Sequence, residues 1–574
     1  MRKKTGKTLL ARVLVLVLTV GLLASGQSTS KTEAAKKLKL SAKKILVKKG
    51  KSKKITLKNA KKLKVKKVKW KIKSKKIASI KIKKGTKYAL HAVRVKGKKK
   101  GKTVLTCKVT KKNKRTVTLK CKVTVTKSAT PTVKPTKAAS IKPVNTPANT
   151  ASPTPSGTDS ENQSPESKLP DSIKEAYSGI FPYMGNCLSY SHWDSKVGKQ
   201  MQDAATMEFV TKHFNSFTLE NEMKPDSMFK SAGNWWAPTG GATLTKEEAL
   251  TRGYVIPENY TESTVPELNF DTIDKVLGIA KQYNLKMRAH VLMWHQQTPA
   301  WFFLTGYQAS GSKVSTDIMD ARLEFYVRSV MKHVLEKEKE LAGSAGSIVY
   351  AWDVTNEYIH RTNAPSATSW MDIYGDMGLR PSYVKHAYEF AYDVLKEYQI
   401  QEDVVLFYND YDTYFSVEDI VSLVNFINED EEANICGGIG MQSHLDIDRP
   451  TLEQYEAALD AFLNTGLEVQ ITELDMTINF DDKDSYNYKN EGQTNEDQAE
   501  FCEDLMKLII RKHRERNQNI NPKGITGVTV WGLSDSVSWR GALNSGGNMH
   551  PTLFGSGISD PKPSYYAFLR ASQS

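Results

Sequence analysis

Six stretches of the chain place polar or aromatic side chains directly after a short apolar run. They begin at Thr218, His290, Thr355, Gln442, Glu473 and Trp531, and a further indole, Trp539, follows the last of them. Amides and carboxylates can hydrogen-bond sugar hydroxyls, indoles can stack on the apolar faces of sugar rings, and two carboxylates can cleave a glycosidic bond. These residue types therefore indicate carbohydrate chemistry.

Other common chemistries lack their signatures in the sequence. There is no glycine-rich phosphate loop, no His-Glu-x-x-His metal motif and no nucleophile elbow around a serine. Cys187, Cys436 and Cys502 do not have the spacing of metal ligands, and we interpret them as packing residues. We expect neither a cofactor nor a metal.

From about residue 171, helical patterns alternate with short apolar strands. One helical stripe consists of Ile273, Val276, Leu277 and Ala280, and similar stripes begin at Val384 and Leu452. Strands are predicted after these stripes at 286–290, 404–408 and 468–472. Repetition of this kind over about 400 residues predicts an α/β fold with a parallel sheet, open or closed into an eightfold barrel. In such barrels, reactive residues lie where strands end.

The region 171–573 resembles glycoside hydrolase family 10, the endo-β-1,4-xylanases with a (β/α)8 TIM barrel, at all six stretches and in the same order. The resemblance favours the closed barrel. It implies hydrolysis of internal β-1,4 bonds of xylan by a retaining double displacement. Two other hypotheses remain, a β-1,4-glucanase with the same mechanism and a noncatalytic polysaccharide receptor on a barrel that has lost its activity.

The resemblance assigns the two reacting carboxylates by their motifs. Glu357, in Trp352-Asp-Val-Thr-Asn-Glu, matches the general acid/base, and Glu473, in Ile471-Thr-Glu-Leu-Asp, matches the nucleophile. These roles require different pKa values. We expect burial and the charge of Glu473 to raise the pKa of Glu357, while hydrogen-bond donors keep Glu473 ionised.

The same matching assigns supporting and binding residues. His444 matches the histidine that hydrogen-bonds the nucleophile, Asp475 the acid that orients this histidine, and Asn356 the amide that contacts the 2-hydroxyl of the cleaved sugar. The expected substrate-binding set, mostly on the glycone side, is Glu220, Asn221, Lys224, His290, Trp294, Gln297, Gln442, Trp531 and Trp539.

Some neighbouring residues keep open assignments. His295, Gln296 and Asp353 either join the site or only support its backbone and packing, and Asn409, Asp410 and Tyr411 are candidates for the aglycone side. Between Pro225 and Phe270 the chain carries a long insertion with Trp235, Trp236 and Tyr254. This insertion either extends the glycone side of the groove or decorates the surface.

The 574 residues carry a formal charge of +21, and this charge is unevenly distributed. Residues 31–127 hold roughly 40 Lys and Arg against the single acid Glu33, whereas the chain from 128 onward sums to about −23. With 39% hydrophobic residues, the chain is not disordered throughout. Lysine-spaced apolar runs over 36–127 predict a small β-sandwich that resembles bacterial immunoglobulin-like domains.

Two cysteines fall in this lysine-rich region. Cys107 and Cys121 lie in two alternating runs around the polar turn at 111–115, and a symmetric hairpin would place them nearly opposite each other. They form either a cross-strand disulfide or two buried thiols on one face of a sheet.

The chain begins with a positively charged segment, an apolar run of about a dozen residues and small residues, which is the order of a secretory signal over 1–26. The alternative is an uncleaved membrane anchor. Residues 128–168 are rich in Pro, Ser and Thr and predict an extended linker. We therefore expect a secreted monomer that acts on xylan and xylo-oligosaccharides. The lysine-rich domain would either retain it at an anionic cell-wall polymer or act only as a spacer, and export argues against nucleic acid as a partner.

Overall fold

The computed structural model describes residues 38–126, with gaps at 42, 50–51, 59–64, 82–91 and 112–115. It also describes 169–574, with gaps at 193, 196, 235–236, 363–367, 483–487 and 541–547. The chain divides into two compact units, 1–158 and 159–574. The predicted signal segment 1–26 and the predicted linker 128–168 lie outside the described residues. Within the described residues, no helix has both the length and the apolar character needed to cross a membrane.

The described part of the first unit consists of strands. They are β1 (Lys39–Leu40), β2 (Lys44–Lys48), β3 (Ser52–Lys58), β4 (Val65–Ile72), β5 (Ala78–Lys81), β6 (Ala92–Gly97), β7 (Gly101–Lys111) and β8 (Thr116–Thr126). Among the residues described here, these strands form two sheets, in the orders β1-β3-β6-β5 and β2-β8-β7-β4. One apolar cluster includes Ile55 and Val95 of the first sheet and Trp70, Leu105 and Val123 of the second. The alternating apolar positions therefore build a core shared by two layers.

The β7–β8 hairpin is symmetric about the predicted turn at 111–115, with Thr110 opposite Thr116. Cys107 lies opposite Leu119, and Cys121 lies opposite Leu105, so the two cysteines are diagonal rather than opposite each other. Both are buried and free. Of the two alternatives, the disulfide is therefore wrong. Burial among apolar side chains raises the pKa of the Cys107 thiol to about 12.

The second unit alternates helices and strands. The helices are α1 (Ile173–Ala176), α2 (Ala204–His213), α3 (Pro225–Met228), α4 (Lys246–Thr251), α5 (Asp271–Gln282), α6 (Thr316–Ala342), α7 (Thr368–Tyr374), α8 (Ser382–Glu397), α9 (Val417–Ile427), α10 (Leu452–Leu463), α11 (Asn495–Glu515) and α12 (Pro563–Ala571). The strands are β9 (Tyr183–Leu188), β10 (Ser216–Leu219), β11 (Ser231–Asn234), β12 (Ala237–Gly241), β13 (Thr243–Thr245), β14 (Thr264–Pro266), β15 (Lys286–Trp294), β16 (Val349–Asn356), β17 (Val405–Asp410), β18 (Gly438–Met441), β19 (His444–Asp446), β20 (Glu468–Thr477), β21 (Asp481–Asp482), β22 (Tyr488–Lys489) and β23 (Ile525–Val530).

Eight strands of the described chain close a parallel barrel. Their order is β9-β10-β15-β16-β17-β18-β20-β23, and β23 pairs back with β9. The predicted α/β barrel is therefore confirmed, and the open sheet is excluded. Because the strands are parallel, their carboxyl ends meet at one rim, where the predicted site residues lie.

Local sequence explains the helices that surround the barrel. All four residues of the predicted stripe on α5 are buried, as are Val384 and Ala387 on α8. The helix α10 begins at a capping box in which Thr451 accepts from the Gln454 backbone and Gln454 accepts from the Thr451 backbone. The stripes bury one face of each helix, and the caps satisfy the first backbone N–H groups.

The insertion before α5 packs into the rest of the second unit. The guanidinium of Arg322 on α6 donates to both carboxylate oxygens of Glu262, at 2.7 and 2.6 Å. The Arg322 side chain is buried, and the hydroxyls of Tyr260 and Tyr307 also contact each other. Loss of Glu262 would leave a buried cation without its partner. The insertion is thus part of the packed structure, and its role in the groove stays a prediction that product lengths from long xylan would test.

Candidate active site

Two glutamates lie at the rim of the barrel, on its fourth and seventh strands. Glu357 directly follows β16, and Glu473 lies within β20. Both side chains are largely buried. Glu357 has a left-handed backbone conformation with φ 58°, and its N–H donates to Asn409 O at 2.8 Å. This conformation is costly for a non-glycine residue and is typical of functional sites.

A chain of side-chain amides connects the two carboxylates. Asn409 Nδ2 donates to Glu473 Oε1 at 2.8 Å and to Asn356 Oδ1 at 2.9 Å. Gln442 Nε2 donates to the same Asn356 Oδ1 at 3.1 Å and to Glu357 Oε1 at 3.0 Å. Because Asn356 Oδ1 accepts from both sides, the Asn356 NH2 group is its remaining donor, as the predicted contact with a sugar 2-hydroxyl requires.

The surroundings of Glu357 raise its pKa, so this carboxyl keeps its proton to higher pH than a solvated glutamate does. Burial, followed by the charges of Asp410 and Glu473, raises the pKa of Glu357 to about 6, although the hydrogen bond from Gln442 opposes this shift. The Trp294 indole donates to Glu357 Oε2 at 3.0 Å. This carboxyl is therefore suited to hold and release a proton near pH 6.

The surroundings of Glu473 have the opposite effect. Burial alone would raise its pKa, but the hydrogen bond and charge of His444 prevail and hold the pKa of Glu473 below its usual value. His444 Nε2 lies 3.1 Å from Glu473 Oε2, and His444 Nδ1 lies 2.8 Å from Asp475 Oδ2. Although burial opposes it, the charge of Asp475 raises the pKa of His444 to about 9, so the imidazolium donates to both acids.

Asp475 is itself fixed by two further donors. Arg540 Nη1 donates to Asp475 Oδ1 at 2.7 Å, and Trp539 Nε1 donates to Asp475 Oδ2 at 3.1 Å. Trp539 is 36% exposed, so part of its ring remains open to a ligand. Arg540 is a supporting residue that the sequence analysis missed, although it directly follows Trp539.

The predicted binding residues of β10 and β15 also lie together. Asn221 Oδ1 accepts from Lys224 Nζ at 3.1 Å and from Gln297 Nε2 at 3.5 Å. The Lys224 ammonium lies 5.0 Å from the centre of the Trp294 ring. Glu220 Oε2 lies 3.6 Å from His192 Nε2 and accepts from Ser189 at 3.5 Å. These contacts place one cation, one carboxylate and two amides on the side of the site formed by the ends of β10 and β15, which we call the β10–β15 wall.

His290 on β15 and Trp531 after β23 continue the β10–β15 wall toward the nucleophile candidate. His290 Nδ1 lies 3.0 Å from Asp353 Oδ2, and Asp353 also binds the buried guanidinium of Arg288. The Trp531 ring stands edge-on to His290 at 6.1 Å and to His444 at 6.2 Å. Of the open assignments, Asp353 thus orients His290 from inside the barrel.

The three candidates for the aglycone side, Asn409, Asp410 and Tyr411, have different contacts. Asn409 contacts the nucleophile candidate itself, whereas Asp410 accepts from Tyr408 and lies 2.6 Å from His360 Nδ1. Tyr411 stacks on His360 with ring centres 3.9 Å apart. His360 was not predicted from the sequence, because its partner Asp410 belongs to a different strand, β17.

The two residues that follow Trp294, His295 and Gln296, also have different surroundings. Gln296 Nε2 lies 3.5 Å from Glu357 Oε2, at the limit of a hydrogen bond. His295 is buried, and neither ring nitrogen has a partner among the described residues. Burial, with the charges of His360 and Arg361, lowers the pKa of His295 to about 4. Gln296 therefore reaches the acid/base candidate, whereas His295 packs beside Trp294, with ring centres 6.1 Å apart.

Comparisons with known proteins agree with this geometry. A family model described as Glycosyl hydrolase family 10 matches residues 172–571. The endo-1,4-beta-xylanase A of Butyrivibrio fibrisolvens is 37% identical over 401 residues, which cover 70% of this chain and 84% of that protein. The bifunctional endo-1,4-beta-xylanase XylA of Ruminococcus flavefaciens is 30% identical over 399 residues, which cover 69% of this chain and 33% of that longer protein.

A solved structure is similar as well. The endo-1,4-beta-D-xylanase 10B of Clostridium thermocellum, crystallised as its CBM22-1 and GH10 modules with xylohexaose, aligns with a TM-score of 0.52 and 26% identity. The alignment covers 72% of this chain and 69% of that one.

Proposed function

The chain belongs to glycosyl hydrolase family 10, and we propose that it is an endo-1,4-β-xylanase that hydrolyses internal bonds of xylan with retention of anomeric configuration. One observation carries the mechanism: two buried carboxyls at the same rim, joined by amides, have pKa values shifted in opposite directions. Such a pair supplies an acid and a nucleophile at one pH.

The reaction has two steps. The ionised Glu473 attacks the anomeric carbon, the glycosidic C–O bond breaks, and the Glu357 proton passes to the leaving oxygen. Glu357, now ionised, takes a proton from water, whose oxygen attacks the same carbon and releases the Glu473 carboxylate. The Asn356 NH2 group donates to the 2-hydroxyl, and Trp294, Lys224 and Gln297 line the glycone side.

The test is reducing-sugar release from glucuronoxylan, arabinoxylan and carboxymethylcellulose by the 171–574 fragment and its variants. Glu473→Ala should abolish xylan hydrolysis, and Glu357→Ala should reduce it about 10²–10⁴-fold, the usual contribution of a general acid. When azide is added to each variant, the configuration of the glycosyl azide product identifies the role of the missing glutamate. In the Glu473 variant azide attacks directly and gives an inverted glycosyl azide, whereas in the Glu357 variant it replaces water and gives a retained one.

The same assay separates the other hypotheses. Hydrolysis of carboxymethylcellulose comparable to that of xylan would favour a β-1,4-glucanase. If the folded wild-type fragment acted on no xylan, the hydrolase proposal would be wrong and a polysaccharide receptor would replace it.

We also propose that the enzyme is exported as a monomer and retained at the cell surface by an anionic polymer that binds the lysine-rich unit. The charged, apolar and small residues at the start of the chain and the lysines of residues 31–127 support this proposal. Mass spectrometry of the protein released from the cell surface by high salt should find a mature start near residue 27. A chain that keeps residues 1–26 and stays with the membrane would contradict cleavage.

A further inference from the structure

One surface of the first unit carries lysines on adjacent strands and in adjacent rows. It is the outer face of the sheet β2-β8-β7-β4, and we call its six central lysines the lysine face: Lys44, Lys69, Lys71, Lys108, Lys120 and Lys122. All six are exposed. The intervening outer positions on β7 and β8 are mainly threonine, as at Thr106 and Thr118.

Like charges lie directly opposite each other on this face. Lys44 pairs with Lys122 across β2 and β8, and Lys69 pairs with Lys108 across β4 and β7. Side chains in such positions are about 5 Å apart at Cβ, and equal charges there are destabilising. No Asp or Glu occurs in the sequence from residue 34 to 158, so no acid of that segment can offset the repulsion.

The fold does not require this pattern. The inner positions of the same strands, such as Trp70, Leu105 and Val123, build the core and need to be apolar. The outer positions need only be polar, and threonine already occupies several of them. Lysine at the remaining positions therefore costs stability without serving the core, which indicates an external anion.

The arrangement also indicates how densely charged the anion should be. Neighbouring strands are about 4.8 Å apart, and alternate residues along a strand are about 6.8 Å apart, so the cations form a dense two-dimensional array. Sparse carboxylates would neutralise few of them, whereas a polymer with a charge on every repeat would neutralise many. Trp70 is the aromatic residue among the described positions of this unit, and it is buried, so the face offers no platform for stacking a sugar or an unpaired base.

We propose that the lysine face binds a linear phosphodiester polymer of the cell wall. This inference rests on the proposed retention at the cell surface and names the partner and the residues that bind it. It is independent of xylan hydrolysis, because the proposed catalytic residues belong to the second unit.

The test is co-sedimentation of the full chain with purified cell walls, native or stripped of their phosphodiester polymer, at low and high salt. We expect binding to native walls, loss of binding to stripped walls and loss at high salt, because exposed charges are screened. The variant with Lys69, Lys71, Lys108 and Lys120 all changed to Gln should bind at least about tenfold more weakly.

Two controls make the result specific. A variant with Lys212, Lys275, Lys281 and Lys396 changed to Gln, all exposed on helices of the second unit, loses the same charge and should bind as the wild type does. Changing the first four lysines to Arg keeps the charge and should preserve binding. Since Lys→Gln relieves repulsion, misfolding would not be the expected cause of a loss.

Several outcomes would overturn the proposal. Equal binding to stripped walls would exclude the phosphodiester polymer, and stronger binding to duplex DNA would make nucleic acid the partner. Binding to glucuronoxylan but not to walls would make the unit a substrate-targeting module. No binding to any of these polymers would leave a solvated spacer. Xylan hydrolysis should be unchanged in all three variants, so a loss of hydrolysis would be a separate failure.

Discussion

The two units of this chain use charged residues in opposite ways. In the barrel, buried charges face partners of opposite sign, as Asp353 faces Arg288 and Asp475 faces Arg540 and His444. In the first unit, exposed lysines face other lysines, and the core is apolar. His444 holds the pKa of Glu473 below its usual value, and Asp475 raises the pKa of His444 against the effect of burial, so a single barrel residue matters. The lysine face acts collectively, so single substitutions there should have small effects.

Between the two units, the largest effect of removing one charge should be in the barrel, where loss of the cation beside the nucleophile changes the pH dependence of catalysis. In His444→Gln, Glu473 loses a charged donor, so its pKa rises. The nucleophile must be ionised, so the acidic limb of the kcat/KM profile should move to higher pH by about 1–3 units. Trp539→Phe is the control, because it removes an indole donor to Asp475 and keeps the His444 charge. An unchanged acidic limb in His444→Gln would show that His444 does not set this pKa.

A smaller effect should follow from changes beside the acid. The charged groups that face Glu357 are Asp410, Glu473 and His360. Asp410→Asn removes a negative charge, so the pKa of Glu357 falls and the alkaline limb moves to lower pH by about half a unit to one unit. His360→Gln removes the positive charge paired with Asp410 and should move the same limb to higher pH.

These opposite shifts separate an electrostatic effect from simple damage. Both limbs are read from kcat/KM against pH on a soluble xylo-oligosaccharide. If both variants shifted the alkaline limb in the same direction, the charges of Asp410 and His360 would not explain the raised pKa of Glu357.

Sequence reasoning was strongest where one strand end carries a complete motif. Glu357 and Glu473 were assigned because each stands in a strand-end motif that the family resemblance matches, and α5 was predicted because its buried residues repeat with helical spacing. It was weaker where the contact joins different strands. The bridge from Asn409 to Asn356 and Glu473 depends on which strands are neighbours, which no local pattern specifies.

For a related reason, alternation alone could not decide whether Cys107 and Cys121 lie directly opposite each other or on a diagonal. Both strands alternate strictly, so a shift of two residues keeps every apolar side chain on the inner face and leaves the pattern unchanged. Only the turn and the neighbouring strands distinguish the two registers.

The smallest effect should be on the stability of the first unit, where one charge can be tested against a matched neighbour. Lys69 and Lys71 are both exposed on β4, but Lys69 faces Lys108 and Lys71 faces Thr106. Lys69→Glu turns a repulsive pair into an attractive one and should raise the Tm of the first unit by about 2–5 °C, more than Lys71→Glu does. Calorimetry of the full chain would measure this, with the transition assigned by comparison with the 171–574 fragment. Equal shifts in the two variants would contradict this. They would mean that the positive charge of the whole unit, rather than the facing pair, determines how much each lysine lowers the stability.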